Sequence, residues 1–246
     1  MPDRGPRVIV PRVTDVTDRR RFLKLAGASA AGLLAGGCGW HGEPVWGALR
    51  WWERPTELLQ RAIADPHRLA KEQPEGRESA RFPQYFISPR LPTVDVMAWR
   101  LQVGGSVASP LSLSLGELMR LPRTTVRVRH YCIEGWTAVA EWTGVRVSEL
   151  ARAARADPAA EFVEFRSFDS GYWSSWDRES ALHPQTLIAY GMNGDALMPG
   201  HGAPARLYSN LKYGYKSVKY LTQVNFLPRN TGGYYEERGY EWYAAL

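Results

Sequence analysis

Short segments in which apolar and polar residues alternate define the class of fold open to this chain. Alternation with a period of two is typical of half-buried β-strands. It occurs in four segments, Trp99–Val103, Thr125–Arg129, Glu161–Phe168 and Ser217–Phe226. Short helical patterns, Ser114–Met119 and Val147–Ala156, lie between them without the regular spacing of βαβ units. We therefore predict an α+β domain with a mixed β-sheet and short helices.

The composition indicates a globular protein and argues against nucleic acid as a partner. Of 246 residues, 44% are hydrophobic and 23% are charged, which is enough apolar material for a core. The net charge is +6, but residues 1–37 contain seven Arg or Lys and three Asp, which leaves only +2 for the rest. Because the positive charge is concentrated in this short segment, we predict no nucleic-acid partner.

The first 37 residues have the pattern of an export signal. Arg19–Lys24 contains three arginines followed by Phe-Leu-Lys, and the uncharged run Leu25–Gly37 is rich in Ala and Gly. This order is typical of a twin-arginine signal, and the run is too short to span a hydrocarbon core of about 30 Å. We predict a twin-arginine export signal over 1–37, use of the twin-arginine export machinery, and a periplasmic or other extracytoplasmic location. An amphipathic helix with a basic start is the alternative.

The end of the signal allows two interpretations. Leu33–Cys38 has the form of a lipoprotein cleavage box, although Ala35 stands where leucine is usual. Lipidation of Cys38 would anchor the protein to a membrane surface. An ordinary cleavage site beside a small hydrophobic cysteine is the alternative.

An N-terminal extension, residues 38–81, separates the signal from the main domain, residues 82–246. Within the extension, Glu57–Ala64 predicts a short helix ended by Asp65-Pro66. The polar segment Lys71–Arg81 predicts a surface loop. Downstream, Gln185–Gly191 is a short apolar segment.

Cys132 is the first candidate for chemistry. Its only possible disulfide partner is Cys38, and two cysteines cannot form a cysteine-rich metal cluster. Cys132 follows a predicted strand, and sites often form where strands end. Arg127, Arg129 and His130 bring positive charge to the thiol, which favours the thiolate and metal ligation. On these features alone, a buried unreactive cysteine is the alternative.

Two later segments combine glycines with cationic side chains. They are His201–Arg206 and Lys212–Lys219. Backbone N–H groups and cations that converge in this way bind oxyanions such as phosphate. A solvated basic loop is the alternative for the second segment. The chain contains no glycine-rich nucleotide motif and no motif for covalent c-type haem.

Three blocks, taken in order, resemble those of the sulfite-oxidase-type molybdopterin oxidoreductases. They are Arg129–Trp136 with Trp142–Gly144, Leu187–Asp195 with Pro199–Leu207, and Lys212–Lys219. The similarity covers roughly residues 82–228. It implies a single molybdopterin-binding domain over 82–246 and a molybdenum-molybdopterin cofactor without an appended nucleotide. A soft thiolate together with dithiolene sulfurs suits such a metal.

The resemblance also implies roles for particular residues. Cys132 would be the thiolate ligand of the molybdenum, and Tyr172 would be the active-site tyrosine. The residues that would bind the pterin and its phosphate are Ser88, Arg90, Ser167, His201, Arg206, Ser217, Val218 and Lys219.

The residues after Cys132 depart from the pattern of sulfite oxidases, which carry an Ala-Gly-Asn-Arg type stretch whose arginine helps to hold sulfite. This chain has Ile133–Trp136 instead. Glu134 would repel a dianion, and Trp136 and Trp142 offer apolar contact. The departure resembles the periplasmic methionine-sulfoxide reductase catalytic subunits, which also share the block at Lys212–Lys216.

We therefore expect oxygen-atom transfer that reduces a sulfoxide or a related S- or N-oxide, either a small molecule or protein-bound. Sulfite oxidation is the alternative in the same class, and a non-catalytic exported binding lipoprotein is the alternative of another class. The resemblance implies an external electron-transfer partner, such as a membrane haem protein. The chain ends soon after Gly232–Glu236, so we expect the C-terminal immunoglobulin-like domain of sulfite oxidases to be missing.

Overall fold

The computed structural model describes residues 55–63, 67–85, 87, 90–92, 94–168 and 171–246. The predicted export signal, Cys38 and Ser88 lie outside these residues. Within the described residues, no helix is both long enough and apolar enough to cross a bilayer.

Ten strands and four α-helices make up the regular structure of this part of the chain. The strands are β1 (Leu101–Gly105), β2 (Leu111–Leu113), β3 (Arg123–Tyr131), β4 (Thr137–Arg146), β5 (Phe162–Ser167), β6 (Trp173–Asp177), β7 (Leu187–Met192), β8 (Asp195–Ala196), β9 (Arg206–Tyr208) and β10 (Leu221–Leu227). The helices are α1 (55–63), α2 (Leu115–Met119), α3 (Val147–Ala154) and α4 (Arg178–Ala181). Three short 3₁₀ helices follow, Pro199–His201, Gly214–Lys216 and Glu236–Arg238.

The strands form two sheets. The first has the order β2-β1-β10-β5-β6 and is mixed, because β1 and β10 are parallel while its other pairs are antiparallel. The second has the order β3-β4-β7-β8, with β9 also paired to β7, and is antiparallel throughout. The predicted α+β class is confirmed, and the single predicted sheet proves to be two.

Local sequence signals explain where the helices begin and which faces they bury. The Ser114 side chain accepts a hydrogen bond from the Glu117 N–H, and the Glu117 carboxylate accepts one from the Ser114 N–H, which makes a capping box for α2. Helix α3 buries Val147, Leu150, Ala151 and Ala154 on one face. These residues join the apolar side chains of the mixed sheet in the larger core cluster.

Gly144 permits the close approach of β4 to β7. The register between these strands shifts at Thr143/Gly144. A Cβ atom at position 144 would lie 2.2 Å from the carbonyl oxygen of Ile188. Glycine is therefore required at this bulge for steric reasons.

The segment 67–85 crosses the second sheet as a strap. The Gln73 N–H donates to the Arg127 carbonyl (2.8 Å), and the Ser79 N–H donates to the Val139 carbonyl (2.9 Å). The prediction that residues 71–81 lack helix and strand is confirmed. The backbone hydrogen bonds of the strap bring its last residues, including Phe82 and Tyr85, to the end of the second sheet where Cys132 lies.

The last predicted strand begins later than expected. Residues Ser217–Tyr220 are outside β10, which starts at Leu221. Lys216 ends a 3₁₀ helix, and Tyr220 has a positive φ of 51°, so the backbone turns here instead of extending. This turn aims Ser217 and Lys219 into a cavity.

Candidate active site

A cavity of about 330 Å³ opens where the β3–β4 hairpin, the strap and the segments around residues 214–220 and 235–240 meet. Six of the residues predicted for the site line this cavity. They are Cys132, Ser167, Tyr172, Arg206, Ser217 and Lys219. Residues that are separated by as many as 87 positions in the sequence therefore share one space.

Cys132 lies in the turn that joins β3 to β4. The Cys132 N–H donates to the Trp136 carbonyl (3.0 Å), and the Gly135 N–H donates to the Cys132 carbonyl (3.0 Å). Gly135 has a φ of +85°, a conformation that favours glycine. The turn is closed by its own backbone, so the half-buried thiol has a defined position in the cavity wall.

The charge around Cys132 is not what the sequence predicted. Arg127 forms ion pairs with Glu78 and Glu141, and the Arg129 guanidinium donates to the Thr137 hydroxyl (3.3 Å). These arginines lie on the opposite face of β3 from His130, because side chains alternate along a strand. The expectation that they create a positive environment for the thiolate is therefore wrong.

Burial and the neighbouring Glu134 carboxylate raise the pKa of the Cys132 thiol. The thiol donates to Glu134 Oε2 at 3.8 Å. His130 contributes no positive charge at neutral pH, since burial and the nearby Arg206 and Lys219 lower its pKa to about 3. Without a bound metal, this site favours the neutral thiol.

Arg206 is a buried cation with no carboxylate partner among the described residues. Its guanidinium donates to the carbonyls of His201 (3.0 Å) and Leu207 (3.3 Å) and lies 5.1 Å from the centre of the Trp142 ring. Burial lowers its pKa to about 10. A buried charge of this kind is costly unless an anion completes the site.

Lys219 is the second cation of the cavity. Its Nζ donates to the carbonyls of Gly200 (2.8 Å) and Tyr85, and no carboxylate pairs with it in the described part of the chain. Burial and the charge of Arg206 lower its pKa to about 7. Two neighbouring cations without acidic partners define an anion-binding region.

Polar atoms without partners lie beside these cations. The Ser217 hydroxyl and His201 Nδ1 are buried and have no hydrogen-bond partner among the described residues. Buried polar groups nearly always have partners. Their lack of one here fits a ligand that carries several acceptor or donor atoms, such as a phosphorylated pterin.

Tyr172 reaches the cavity from the start of β6. It is half-buried, its hydroxyl donates to the Tyr215 carbonyl, and desolvation raises its pKa well above the usual range. The phenol therefore stays neutral and its proton is already shared with the backbone. Tyr172 also contacts the rings of Tyr234 and Tyr235, at 5.4 and 5.9 Å between centroids.

Four residues singled out from the sequence do not line the cavity. Val218 is fully buried in the larger core, and Trp142 is fully buried against Tyr208, with 4.0 Å between ring centroids. Arg90 is exposed and outside the lining. His201 lies at the margin, where its Nε2 is 3.3 Å from Gln84 Nε2.

The structure adds cavity residues that the sequence analysis did not place in the site. They include Tyr85, Tyr215, Tyr235 and Tyr240, together with His130, which was considered only for its charge near the thiol, and Glu134 and Trp136, which were considered only for substrate selectivity. The alternation of β3 could have identified His130, since it lies two residues from Cys132. Tyr85 comes from the strap, and Tyr235 and Tyr240 come from the C-terminal segment, where no local pattern marks them. Tyr215 lies within the Lys212–Lys219 block.

These donors fit a molybdenum-pterin group. The thiol is a soft ligand that a metal binds as thiolate, while Arg206, Lys219 and the Ser217 hydroxyl suit a phosphate. Within the described residues, no group of three or more His, Cys, Asp or Glu side chains could hold a metal alone. The cavity thus has the residue types that an anionic, metal-containing cofactor requires, with two buried cations and one cysteine in its wall.

Residues 88–235 match the family described as oxidoreductase molybdopterin binding domain. The chain belongs to this family and is a molybdopterin-dependent oxidoreductase. The predicted family and enzyme class are therefore confirmed, and the non-catalytic alternative is not favoured.

Comparison with individual proteins agrees with this family assignment. A protein of Azospira oryzae, named as a candidate protein-methionine-sulfoxide reductase subunit YedZ1, is 33% identical over 95% of this chain and 90% of its own length. The protein-methionine-sulfoxide reductase catalytic subunit MsrP of Campylobacter jejuni is 31% identical over 59% of this chain, and the chain spans about half of that relative (56%). The sulfane dehydrogenase SoxCD of Paracoccus pantotrophus shares the fold, with a TM-score of 0.54 and 24% identity over 57% of this chain and 41% of its own.

Proposed function

We propose that this protein is an exported oxidoreductase that reduces a sulfoxide, with methionine sulfoxide as the first candidate substrate. The names of the similar proteins from Azospira and Campylobacter support this substrate class. The reaction takes the sulfoxide, two electrons and two protons to the thioether and water. The molybdenum-pterin group, when bound, supplies a metal centre suited to two-electron oxygen-atom transfer.

One observation carries the choice of substrate. The Glu134 carboxylate lies 3.8 Å from the Cys132 sulfur and accepts a hydrogen bond from the Trp136 indole at 3.1 Å. Trp136 stacks against Tyr85, with 6.2 Å between centroids. A negative charge beside the metal ligand opposes a sulfite dianion, while an aromatic wall suits a neutral sulfoxide with its thioether-like carbons.

The other residues of the site would hold the cofactor and shape the space around it. Arg206, Lys219 and Ser217 would bind the phosphate, and Ser167 would contact the pterin. Tyr172 would position the Tyr215 backbone, because its proton is already donated there. Cys132 would bind the metal as thiolate, since coordination to a metal ion deprotonates a thiol despite its raised pKa.

Four further assignments belong to the same proposal. His201, Val218, Ser88 and Arg90 remain candidates for the edge of the pterin site, with backbone atoms as the contact at Val218.

The cofactor carries no appended nucleotide. The signal over 1–37 directs export by the twin-arginine machinery to the periplasm, the extension covers 38–81, and the catalytic domain covers 82–246.

Electrons come from an external partner, for which a membrane haem protein is the candidate. Cys132 is the only cysteine of the described residues, and the chain has no motif for covalent haem attachment. One-electron carriers therefore have to be supplied by another protein or, in an assay, by a reduced dye.

The proposal is tested with the metal-loaded enzyme in two assays. Oxidation of a reduced viologen dye reports reduction of methionine sulfoxide, and reduction of ferricyanide reports oxidation of sulfite. We expect activity in the first assay only. Efficient sulfite oxidation without sulfoxide reduction would contradict the proposal.

A substitution at Glu134 tests the reason for this selectivity. Glu134→Gln removes the charge and should strengthen inhibition by sulfite and sulfate, which are divalent anions. Glu149→Gln, which changes a surface carboxylate paired with Arg152 at 2.8 Å, is the matched control and should leave inhibition unchanged. Equal inhibition of wild type and Glu134→Gln would refute the electrostatic argument.

A further inference from the structure

Helix α1 turns its apolar residues away from the domain. Leu58, Leu59 and Ile63 are 68%, 59% and 75% exposed, whereas Glu57 and Gln60 are partly buried. Surface helices of globular domains normally face the core with their apolar stripe. Helix α1 has the opposite orientation, with its apolar side chains exposed and its polar side chains towards the domain.

The polar face of α1 is held against the C-terminal segment by specific contacts. Arg61 lies 4.9 Å from the centre of the Tyr243 ring, and it forms an ion pair with Glu57 at 2.9 Å. Gln60 Oε1 accepts a hydrogen bond from the Ala245 N–H at 3.4 Å. These interactions orient the helix so that its apolar face points outwards.

The composition of the neighbouring chain indicates what this face meets. In the sequence, four of the ten tryptophans fall between positions 40 and 52, before α1, and Arg50 and Arg54 also precede the helix. Tryptophan is enriched where proteins meet the membrane interface, and arginine favours anionic lipid headgroups. An amphipathic helix with exposed Leu and Ile beside such residues is typical of segments that lie on a bilayer.

We propose that the outer face of α1 rests on the surface of a lipid bilayer and holds the catalytic domain beside the membrane. Leu58, Leu59 and Ile63 insert at the boundary between headgroups and acyl chains, while Arg61 stays bound to the C-terminal segment. This surface is separate from the cavity lining. The inference therefore does not depend on which sulfoxide or other oxide the enzyme reduces.

Co-sedimentation with phospholipid vesicles tests the proposal. The exported holoenzyme carrying Cys38→Ala is used, so that no lipid can be attached there, with vesicles of phosphatidylethanolamine and phosphatidylglycerol. We expect binding, and the double variant Leu58→Ser/Ile63→Ser should weaken it by about tenfold or more, because two apolar side chains no longer insert. Hydrogen exchange over 55–63 should slow on vesicles in the parent but not in the Leu58→Ser/Ile63→Ser variant.

The matched control is Met97→Ser/Met119→Ser, which removes two apolar side chains that are 85% and 52% exposed elsewhere on the surface. This control should bind vesicles like the parent protein, and molybdenum content and turnover should be the same in all three. No vesicle binding by the parent, or equal loss in both double variants, would overturn the proposal. A dimer of the parent that the α1 variant abolishes, without vesicle binding, would assign the face to a second copy of the chain instead.

Discussion

Replacement of Arg206 by methionine should affect stability in opposite directions in the apoprotein and in the cofactor-loaded protein. Arg206 is 4% exposed, and its partners are two carbonyls and an aromatic ring. Its pKa is lowered from 12.5 to about 10 by burial. At neutral pH the group is charged in both the folded and unfolded states, so the apoprotein bears the full cost of burying the charge.

The structure gives the size of this effect. A pKa lowered from 12.5 to about 10 corresponds to a cost of about 3 kcal/mol to the stability of the apoprotein. Arg206→Met removes that cost but leaves the carbonyls of His201 and Leu207 without a donor, at about 1 kcal/mol each. We therefore expect the apoprotein to gain about 1 kcal/mol. The loaded protein should lose its cofactor, since the phosphate loses a buried cation.

Urea unfolding of apoprotein from a host that cannot make the pterin measures the first effect, and molybdenum content after dialysis measures the second. Arg127→Met is the control, because Arg127 has two carboxylate partners and its loss should destabilise the apoprotein. If Arg206→Met lowers the urea midpoint as much as Arg127→Met and keeps its molybdenum, Arg206 is a structural residue that does not bind the cofactor.

Three further predictions concern the ligand, the sheet and the pH dependence. Cys132→Ala should remove molybdenum, measured by metal analysis, while circular dichroism stays unchanged; retained metal would exclude Cys132 as its ligand. Gly144→Ala should lower the free energy of unfolding by about 3 kcal/mol or more, since its Cβ would lie 2.2 Å from a carbonyl oxygen. Gly116→Ala in α2, where a Cβ would have nothing within 4 Å, should raise the free energy of unfolding by up to about 1 kcal/mol. Equal urea midpoints for the two variants would contradict this. The lowered pKa of Lys219 means that the unfolded apoprotein binds more protons, so stability should rise between about pH 7 and pH 10.5; an unchanged slope in Lys219→Met would refute this.

The elements that could be predicted from sequence are those whose burial follows their local pattern. Strand β3 alternates between exposed and buried residues along most of its length, so its period of two is visible in the sequence. Strand β4 is mostly buried on both faces, and β6 buries Ser174 and Ser175. Both lack alternation, because neighbouring elements cover both faces, and both were missed.

The residues of the site also fall into those that a local sequence pattern predicts and those that it does not. Cys132, Arg206 and Lys219 lie in contiguous blocks, so their sequence context identifies them. Tyr85 and Tyr235 reach the cavity only through long-range contacts that no local pattern records. The charge around Cys132 was predicted wrongly because closeness in sequence is not closeness in space. Arg127 and Arg129 lie on the opposite face of β3 from His130.

Metal and pterin analysis of the exported wild-type protein, purified from a molybdate-replete host, tests the central claim most directly. We expect about one molybdenum atom per chain together with a pterin that carries no nucleotide. Folded, exported protein that contains neither molybdenum nor pterin would contradict it, because the paired cations and the thiol of the cavity would then serve some other ligand.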